Sequence, residues 1–385
     1  MTDSPSSLSL SRRTLLRSLG GVGALALGGV ACSPEAPKGG TAGPSPSAAG
    51  RRLGAEWESH ARTFMAWPAS AAIWGRYLPD VRRDIAGLAR AIADYEPVVL
   101  LARPGQEDAA RRACGSDVEV ASIAVDDLWA RDTVPVFVED ESRVRGVDFN
   151  FNGWGGKQER RHDARVGHRA LAQYGIPRDR TWVVAEGGSL ETDGRGTLMA
   201  TESSLVNKNR NPGKSRQQIE DELKRVLGVR KVIWFAGVRG EDITDGHVDS
   251  MARFVAPGVV LLDKAFPDEP ADSWSRAADQ AKRVLKSSTD AHGKAVEVIE
   301  LPQPDPYEIT GRGDAFLSSY VNFYVANGAV FVPRFGDAKA DDRAQQMLRD
   351  HFPGRDIVPV KIDTIASGGG GIHCATHDQP GKSGG

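Results

Sequence analysis

Along this chain the period of the apolar positions keeps changing. Residues 96–102 (EPVVLLA) are a continuous apolar run of strand length. Residues 105–115 (GQEDAARRACG) carry helical spacing, and residues 118–125 (VEVASIAV) return to strand periodicity. The same strand–helix–strand order recurs through 146–152, 163–175 and 181–188, through 196–205, 215–228 and 230–237, through 258–265, 273–288 and 296–303, and through 328–336, 339–352 and 356–363. An additional helix, LPDVRRDIAGLARAIADYE at 78–96, precedes the first unit. Five units at intervals of roughly 50–65 residues constitute an internal repeat. Alternating strands and helices fit a doubly wound α/β sheet. They fit equally a closed ring of five β-rich blades.

The places where each unit ends bear on that choice. The exit strands lead into DDLWARD (126–132), EGGSLETDG (186–194), GEDITDGHVDSMARF (240–254) and SGGGGIHC (367–374). In a radial repeat such points converge on one axis, and the polar residues there form one shared site. The fourth exit, LPQPDPYEITGRGDAF (301–316), carries no comparable cluster. The four consecutive glycines before His373 and Cys374 are costly in backbone entropy, unless the chain must bend there or approach another group closely.

The N-terminal residues read differently. Arg12 and Arg13, followed by a short, glycine-rich apolar stretch, form a twin-arginine-type signal peptide over 1–32. Cys32 stands where a lipoprotein would be acylated, although Gly29 occupies a position where a branched apolar residue is usual. Residues 33–50 are a Pro/Gly/Ser-rich tether. The expected organisation is therefore a signal at 1–32, a linker at 33–50, one domain at 51–380 and a short tail at 381–385. The expected location is outside the cytoplasm, secreted, periplasmic or lipid-anchored at the cell envelope. A net charge of −2 over 385 residues implies no basic surface for nucleic acid. Three cysteines do not make a disulfide framework. No metal-binding spacing is present, and the chemistry below calls for neither metal nor cofactor.

The exits together offer Trp129, Asp132, Glu186, His247, Asp249 and Cys374. A thiol beside an imidazole makes a nucleophile with its acid/base. Carboxylates near it raise the thiol pKa, and so work against catalysis unless the substrate is itself a cation. A guanidinium meets that condition, because its planar N–H fork pairs with carboxylates. Cys374 then attacks the guanidinium carbon, His247 protonates the departing ammonia, and the same His activates water against the thiouronium.

At these residues the chain resembles the agmatine deiminase / bacterial peptidylarginine deiminase family of the guanidine-modifying (pentein) superfamily. The resemblance rests on AEWESHARTFMAWP (55–68), WARDTVPVFV (129–138), EGGSLETDGRGTLMATESSLVNKNRNP (186–212), DITDGHVDSMARFV (242–255) and GGGGIHCATHDQP (368–380). It implies a five-bladed, pseudo-fivefold α/β propeller in a single domain. It also implies Cys374 as nucleophile and His247 as acid/base, with Glu186 and Asp249 as further catalytic groups. Asp132, Trp129, Asp242 and Asp245 are the expected substrate-binding residues. The implied reaction is hydrolysis of agmatine to N-carbamoylputrescine and ammonia. Peptidyl-arginine is the alternative substrate, and a homodimer is a further implication.

Two departures from the family pattern stand out. Val134 replaces the glycine of W-x-R-D-x-G-P. Ile243 stands where some agmatine-specific members carry an additional acid. If that acid holds the amine end of agmatine, then Asp242, Asp245 or another group replaces it here, or the substrate differs. From another functional class, an exported guanidino-compound-binding lipoprotein accounts for the signal and the carboxylates but leaves Cys374 and His247 without a use.

Overall fold

The alternation of strand and helix periods becomes five small, separate, open sheets. The structure is a computed structural model that describes residues 50–140 and 143–381. The expected signal peptide with Cys32, and all of the tether but its last residue, lie outside the described residues. So does the tail beyond residue 381. Among the described residues no helix is long and apolar enough to cross a membrane.

Four of the sheets share one plan. Strands Arg143–Asp148 and Arg178–Arg180 run parallel, connected by a crossover that includes helix Val166–Gln173. Strand Val136–Asp140 adds to the first of them antiparallel. The same arrangement is made by Glu191–Thr192, Thr197–Thr201 and Lys231–Phe235, by Ala252–Ala256, Val259–Lys264 and Glu297–Pro302, and by Tyr324–Val325, Ala329–Arg334 and Asp356–Lys361. The remaining sheet joins both ends of the domain. Strand His60–Ala66 lies parallel to Val98–Ala102 and antiparallel to the terminal strand Thr376–Pro380, and Val118–Ser122 completes it.

The crossover helices are amphipathic, and helix Ser273–Ser287 packs against both its own sheet and strand Lys231–Phe235 of the preceding one. Helix Leu78–Ala93 buries Val81, Ile85, Leu88, Ala89 and Ile92, and helix Arg216–Leu227 buries Ile219, Leu223, Val226 and Leu227. Full burial of one such branched aliphatic side chain contributes about 1.5–3 kcal/mol. The helices begin where their caps dictate. Ser215 accepts from the Gln218 backbone while the Gln218 side chain returns to Ser215, and Asp272 makes the same reciprocal arrangement with Ser275.

The periodicity locates the parallel strand pairs and crossover helices, with one displacement. Residues 181–188, expected as an exit strand, run as loop and a short turn; the parallel strand is the preceding Arg178–Arg180. The apolar character of 181–185 reflects burial of Val183 and Ala185 beneath a side chain rather than pairing with a strand. Asn211 donates to the Val184 carbonyl and accepts from its N–H, and so takes the part of a neighbouring strand.

Candidate active site

Segments that follow four of the parallel strands, those carrying Trp129, His247, Phe316 and Cys374, line a cavity of about 350 Å³, and the segment carrying Glu186 lies behind His247. Trp129 precedes the single helical turn Ala130–Thr133, which carries Asp132. Glu186 precedes the turn Gly187–Ser189, and His247 precedes the turn Val248–Ser250, which holds Asp249. Cys374 sits in the turn Ile372–Ala375, immediately before the terminal strand. Short turns at strand ends leave these side chains projecting inward with little local freedom.

The consecutive glycines are required by close approach. A Cβ on Gly370 would lie 2.2 Å from the Trp129 ring, one on Gly371 2.4 Å from Asn322 Oδ1, and one on Gly368 2.4 Å from the Trp74 ring. No side chain fits between this segment and the walls that hold Cys374. Gly188 plays the same part across the cavity, where a Cβ would lie 2.7 Å from His247 Nδ1 and 3.0 Å from both Asp132 Oδ1 and Asp249 Oδ2.

Cys374 Sγ accepts a contact from Asn322 Nδ2 at 3.3 Å and lies 3.5 Å from Asp249 Oδ2. Burial, with Asp249 and Asp132 adding negative charge, pushes its thiol well above the usual range. The thiol is therefore protonated in the empty cavity at neutral pH. His247 is buried, with Nε2 3.2 Å from Glu186 Oε2 and Nδ1 3.8 Å from Asp132 Oδ1. Burial works against its charge, but Asp132, Glu186 and Asp249 together raise it to about 9, and the ring is an imidazolium.

The carboxylates divide by position. Asp132 and Asp249 line the cavity, as do Trp129, Asp242, His247 and Cys374. Asp132 accepts from Trp154 Nε1 at 2.8 Å and from the Gly188 N–H at 3.1 Å; burial raises its pKa, against the pull of His247. Asp249 accepts from His373 Nδ1 at 2.8 Å, which keeps its pKa low against burial. Glu186 has no exposed surface and stands behind His247. Arg210 Nε reaches its two oxygens at 2.9 and 3.0 Å and holds its pKa down despite burial.

Asp245 is where the sequence expectation needs correction. It does not line the cavity. Its carboxylate takes Lys157 Nζ and Arg210 Nη1, each at 2.7 Å, and Asn209 Nδ2 at 2.9 Å. Two cations and an amide occupy it, so it serves as the counter-ion that steadies Arg210 behind Glu186.

Residues with no local signature build the support. Glu56 receives Arg131 Nη2 at 2.7 Å, Arg253 Nη2 at 2.9 Å and His373 Nε2 at 3.0 Å. Glu56 and Asp249 thus grip the two nitrogens of His373, contacts that an imidazole satisfies together only as a donor at both. Arg131 belongs to this scaffold and not to Asp132, since its other partner is Asp378 at 3.1 Å. Glu56 and Arg210 lie within the family motifs without an assigned role, and Asn322 and Trp154 carry no motif; each acts across a large sequence separation. Among the described residues no group of His, Cys, Asp and Glu has the arrangement of a metal site.

The whole cavity wall is acidic. Asp132, Asp249 and Asp263 lie deep, while Asp242, Glu269, Asp272 and Asp314 stand toward its mouth. No lysine or arginine among the described residues lines it. Trp129, Ile243, Met251, Phe316 and Leu317 supply apolar surface between the acids.

Comparison with known proteins places this geometry. The family model described as Porphyromonas-type peptidyl-arginine deiminase matches residues 52–380. The agmatine deiminase of Medicago truncatula is 39% identical over 368 residues, covering 87% of this chain and 98% of its own. That of Stutzerimonas stutzeri is 39% identical over 360 residues, covering 87% and 97%. A solved agmatine deiminase of Enterococcus faecalis superposes with a TM-score of 0.81 at 32% identity, covering 87% of this chain and 97% of that one.

Proposed function

The chain belongs to the Porphyromonas-type peptidyl-arginine deiminase family, and from that premise we propose that it hydrolyses agmatine to N-carbamoylputrescine and ammonia. The observation that carries the choice of substrate is the cavity wall, with seven carboxylates and, among the described residues, no lysine or arginine. Agmatine is a dication with an aliphatic middle, which suits acids interleaved with apolar surface. Free arginine would bring its α-carboxylate against these acids, and the one cation lining the cavity among the described residues, the His247 imidazolium, is already paired with Glu186. At an effective dielectric of about 20, like charges about 4 Å apart repel by about 4 kcal/mol. An internal arginine of a peptide escapes that repulsion, but it must bring flanking backbone to a cavity of about 350 Å³.

The chemistry proceeds from the protonation states of the empty site. The incoming guanidinium settles between Asp132 and Asp249, and its charge offsets what keeps the Cys374 thiol protonated. The thiol releases its proton to solvent as the substrate enters, and Sγ bonds to the guanidinium carbon while a C–N π pair moves onto nitrogen, which gives a neutral tetrahedral adduct. His247, held as an imidazolium by Glu186, protonates one nitrogen, and the C–N bond breaks to release ammonia. The neutral imidazole then takes a proton from water as the water oxygen adds to the thiouronium carbon. Collapse of this second adduct breaks the C–S bond and releases the ureido product. In this scheme Glu186 acts through His247, while Asp132 and Asp249 clamp the substrate.

The five similar sheets, the first completed by the terminal strand, favour a ring of five blades about the cavity. Export by the twin-arginine route, with Cys32 as a candidate lipid anchor, is proposed from the residue pattern of 1–32 alone.

The test is ureido-product and ammonia formation from agmatine, free arginine and an internal-arginine peptide by the purified mature protein. Agmatine is expected to lead arginine by at least a hundredfold in kcat/KM, with Cys374→Ser abolishing turnover while binding is retained. Preference for the peptide would move the activity to protein citrullination. Binding without any ammonia release would support the binding-protein alternative instead.

A further inference from the structure

Asp263 lies at the cavity wall with no counterpart in the proposed chemistry. It belongs to strand Val259–Lys264, is 9% exposed, and is held by neutral donors: Ser319 Oγ reaches Oδ1 at 2.7 Å and Gln303 Nε2 reaches Oδ2. All three residues line the cavity. Among the described residues it makes no ion pair, whereas its sequence neighbour Lys264 turns to Glu300 and Asp279. A carboxyl this buried without a cation either stays protonated or is completed as a carboxylate by a cationic ligand.

The other acids around the cavity are engaged or exposed. Asp132 and Asp249 belong to the guanidinium end. Asp242 caps its own loop, accepting from Thr244 Oγ1 and from the Gly246 N–H at 2.9 Å. Asp272 caps helix Ser273–Ser287 through the Ser275 N–H, and Glu269 and Asp314 are exposed. Asp245 is closed off by Arg210 and Lys157. Ile243, where some relatives carry an acid, offers no charge. Among the acids at or near the cavity, that leaves Asp263 deep and without a cation.

It shares the cavity wall with the thiol, to which short stretches of chain connect it. Ser319, which holds Asp263, is three residues from Asn322, which holds Cys374 Sγ. Three extended residues span at most about 10 Å. On the other side the Asp263 N–H donates to Met251, two residues beyond Asp249. The guanidinium carbon and terminal nitrogen of agmatine are separated by six bonds of about 1.5 Å, roughly 7 Å when extended.

We propose that Asp263, oriented by Ser319 and Gln303, is the anchor for the second positive charge of the substrate. The proposal rests on the deiminase assignment above and identifies what selects an ω-amino guanidine over a plain alkylguanidine. Burial pushes the empty carboxyl up to about 7, opposed by the Ser319 and Gln303 hydrogen bonds, and an ammonium bound against it restores the charged form. Asp263 is a specificity residue in this scheme and takes no part in bond making.

The experiment compares agmatine with the alkylguanidine of equal chain length that lacks the amine, on wild type and on Asp263→Asn. The expected result is a KM for agmatine raised about 10- to 100-fold, the range of a charge-assisted hydrogen bond, with kcat changed less than about twofold. Turnover of the alkylguanidine should stay within about twofold, which also reports an intact catalytic centre. Parallel loss of both substrates, or no loss of either, would overturn the assignment. If Asp263→Asn does not fold, Ser319→Ala and Gln303→Leu are measured in the same way. A selective rise in agmatine KM supports the anchor, and equal effects on the two substrates reject it. Wild type that turns over neither compound refutes the agmatine assignment on which the anchor rests, a result distinct from both.

Discussion

At the scale of single residues, the site is a set of opposed charges whose balance the substrate completes. Cys374 is a thiol held protonated by burial and two carboxylates, while His247 is an imidazolium up to about pH 9. The reactive pair, thiolate with imidazolium, is thus a minor form of the empty protein at neutral pH. Raising the pH removes the thiol proton more often, about tenfold per unit, and leaves His247 charged until about 9. The expected kcat/KM for agmatine therefore climbs through neutral pH and levels toward pH 9. A profile flat from pH 6 to pH 8 would mean that the thiol is already ionised without substrate, and would remove the role given to the substrate charge. Cys374 and His247 were legible as cavity residues because rare residue types follow costly glycines, and Asp132 and Asp249 because they stand in the polar segments at the unit exits. Asn322 and Asp263 were not, since a single Asn or Asp without a neighbouring motif reads as surface, and Glu56 and Arg210 lie within family motifs where only the fold reveals their supporting role. Asp245 misled for the opposite reason: it sits within the motif, but its carboxylate turns away to Arg210 and Lys157.

At the scale of elements, helices were the most legible, because each carries a continuous apolar stripe and their caps are local. The strand–helix–strand units were legible too. The strand missing from each unit was the antiparallel one, such as Ala252–Ala256 or the two-residue Tyr324–Val325. These strands are short and follow directly on the polar exit motifs, so their periodicity merges with that of the site. The terminal strand Thr376–Pro380 has the greatest consequence, since only long-range pairing with His60–Ala66 defines it and the turn holding Cys374 leads straight into it. Ending the chain after Ala375 removes that ladder, together with the Asp378 contact to Arg131 and the His377 contact to the Arg131 carbonyl. The shortened protein is expected to be inactive and to lose its cooperative melting transition, as circular dichroism would show. Retention of a wild-type transition would mean that the first sheet stands without its closing strand.

At the scale of the whole molecule, the charge distribution separates two ways of attracting a cation. The chain carries a net charge of only −2, so its long-range field is weak. The seven carboxylates at the cavity concentrate negative charge locally, offset in part by the His247 imidazolium. Attraction of agmatine should therefore begin close to the mouth, where exposed Glu269, Asp272 and Asp314 are open to screening, whereas the deep acids are not. Raising the salt from about 0.02 to about 0.2 M shortens the screening length from roughly 20 Å to roughly 7 Å. The expected effect is a several-fold fall in kcat/KM for agmatine, carried by KM, with kcat unchanged because the reacting groups are shielded from solvent. The singly charged alkylguanidine should show a clearly smaller fall over the same range. Equal salt dependence for the two substrates would show that the second charge is not felt during capture, which would confine the role of the acidic wall to the bound state.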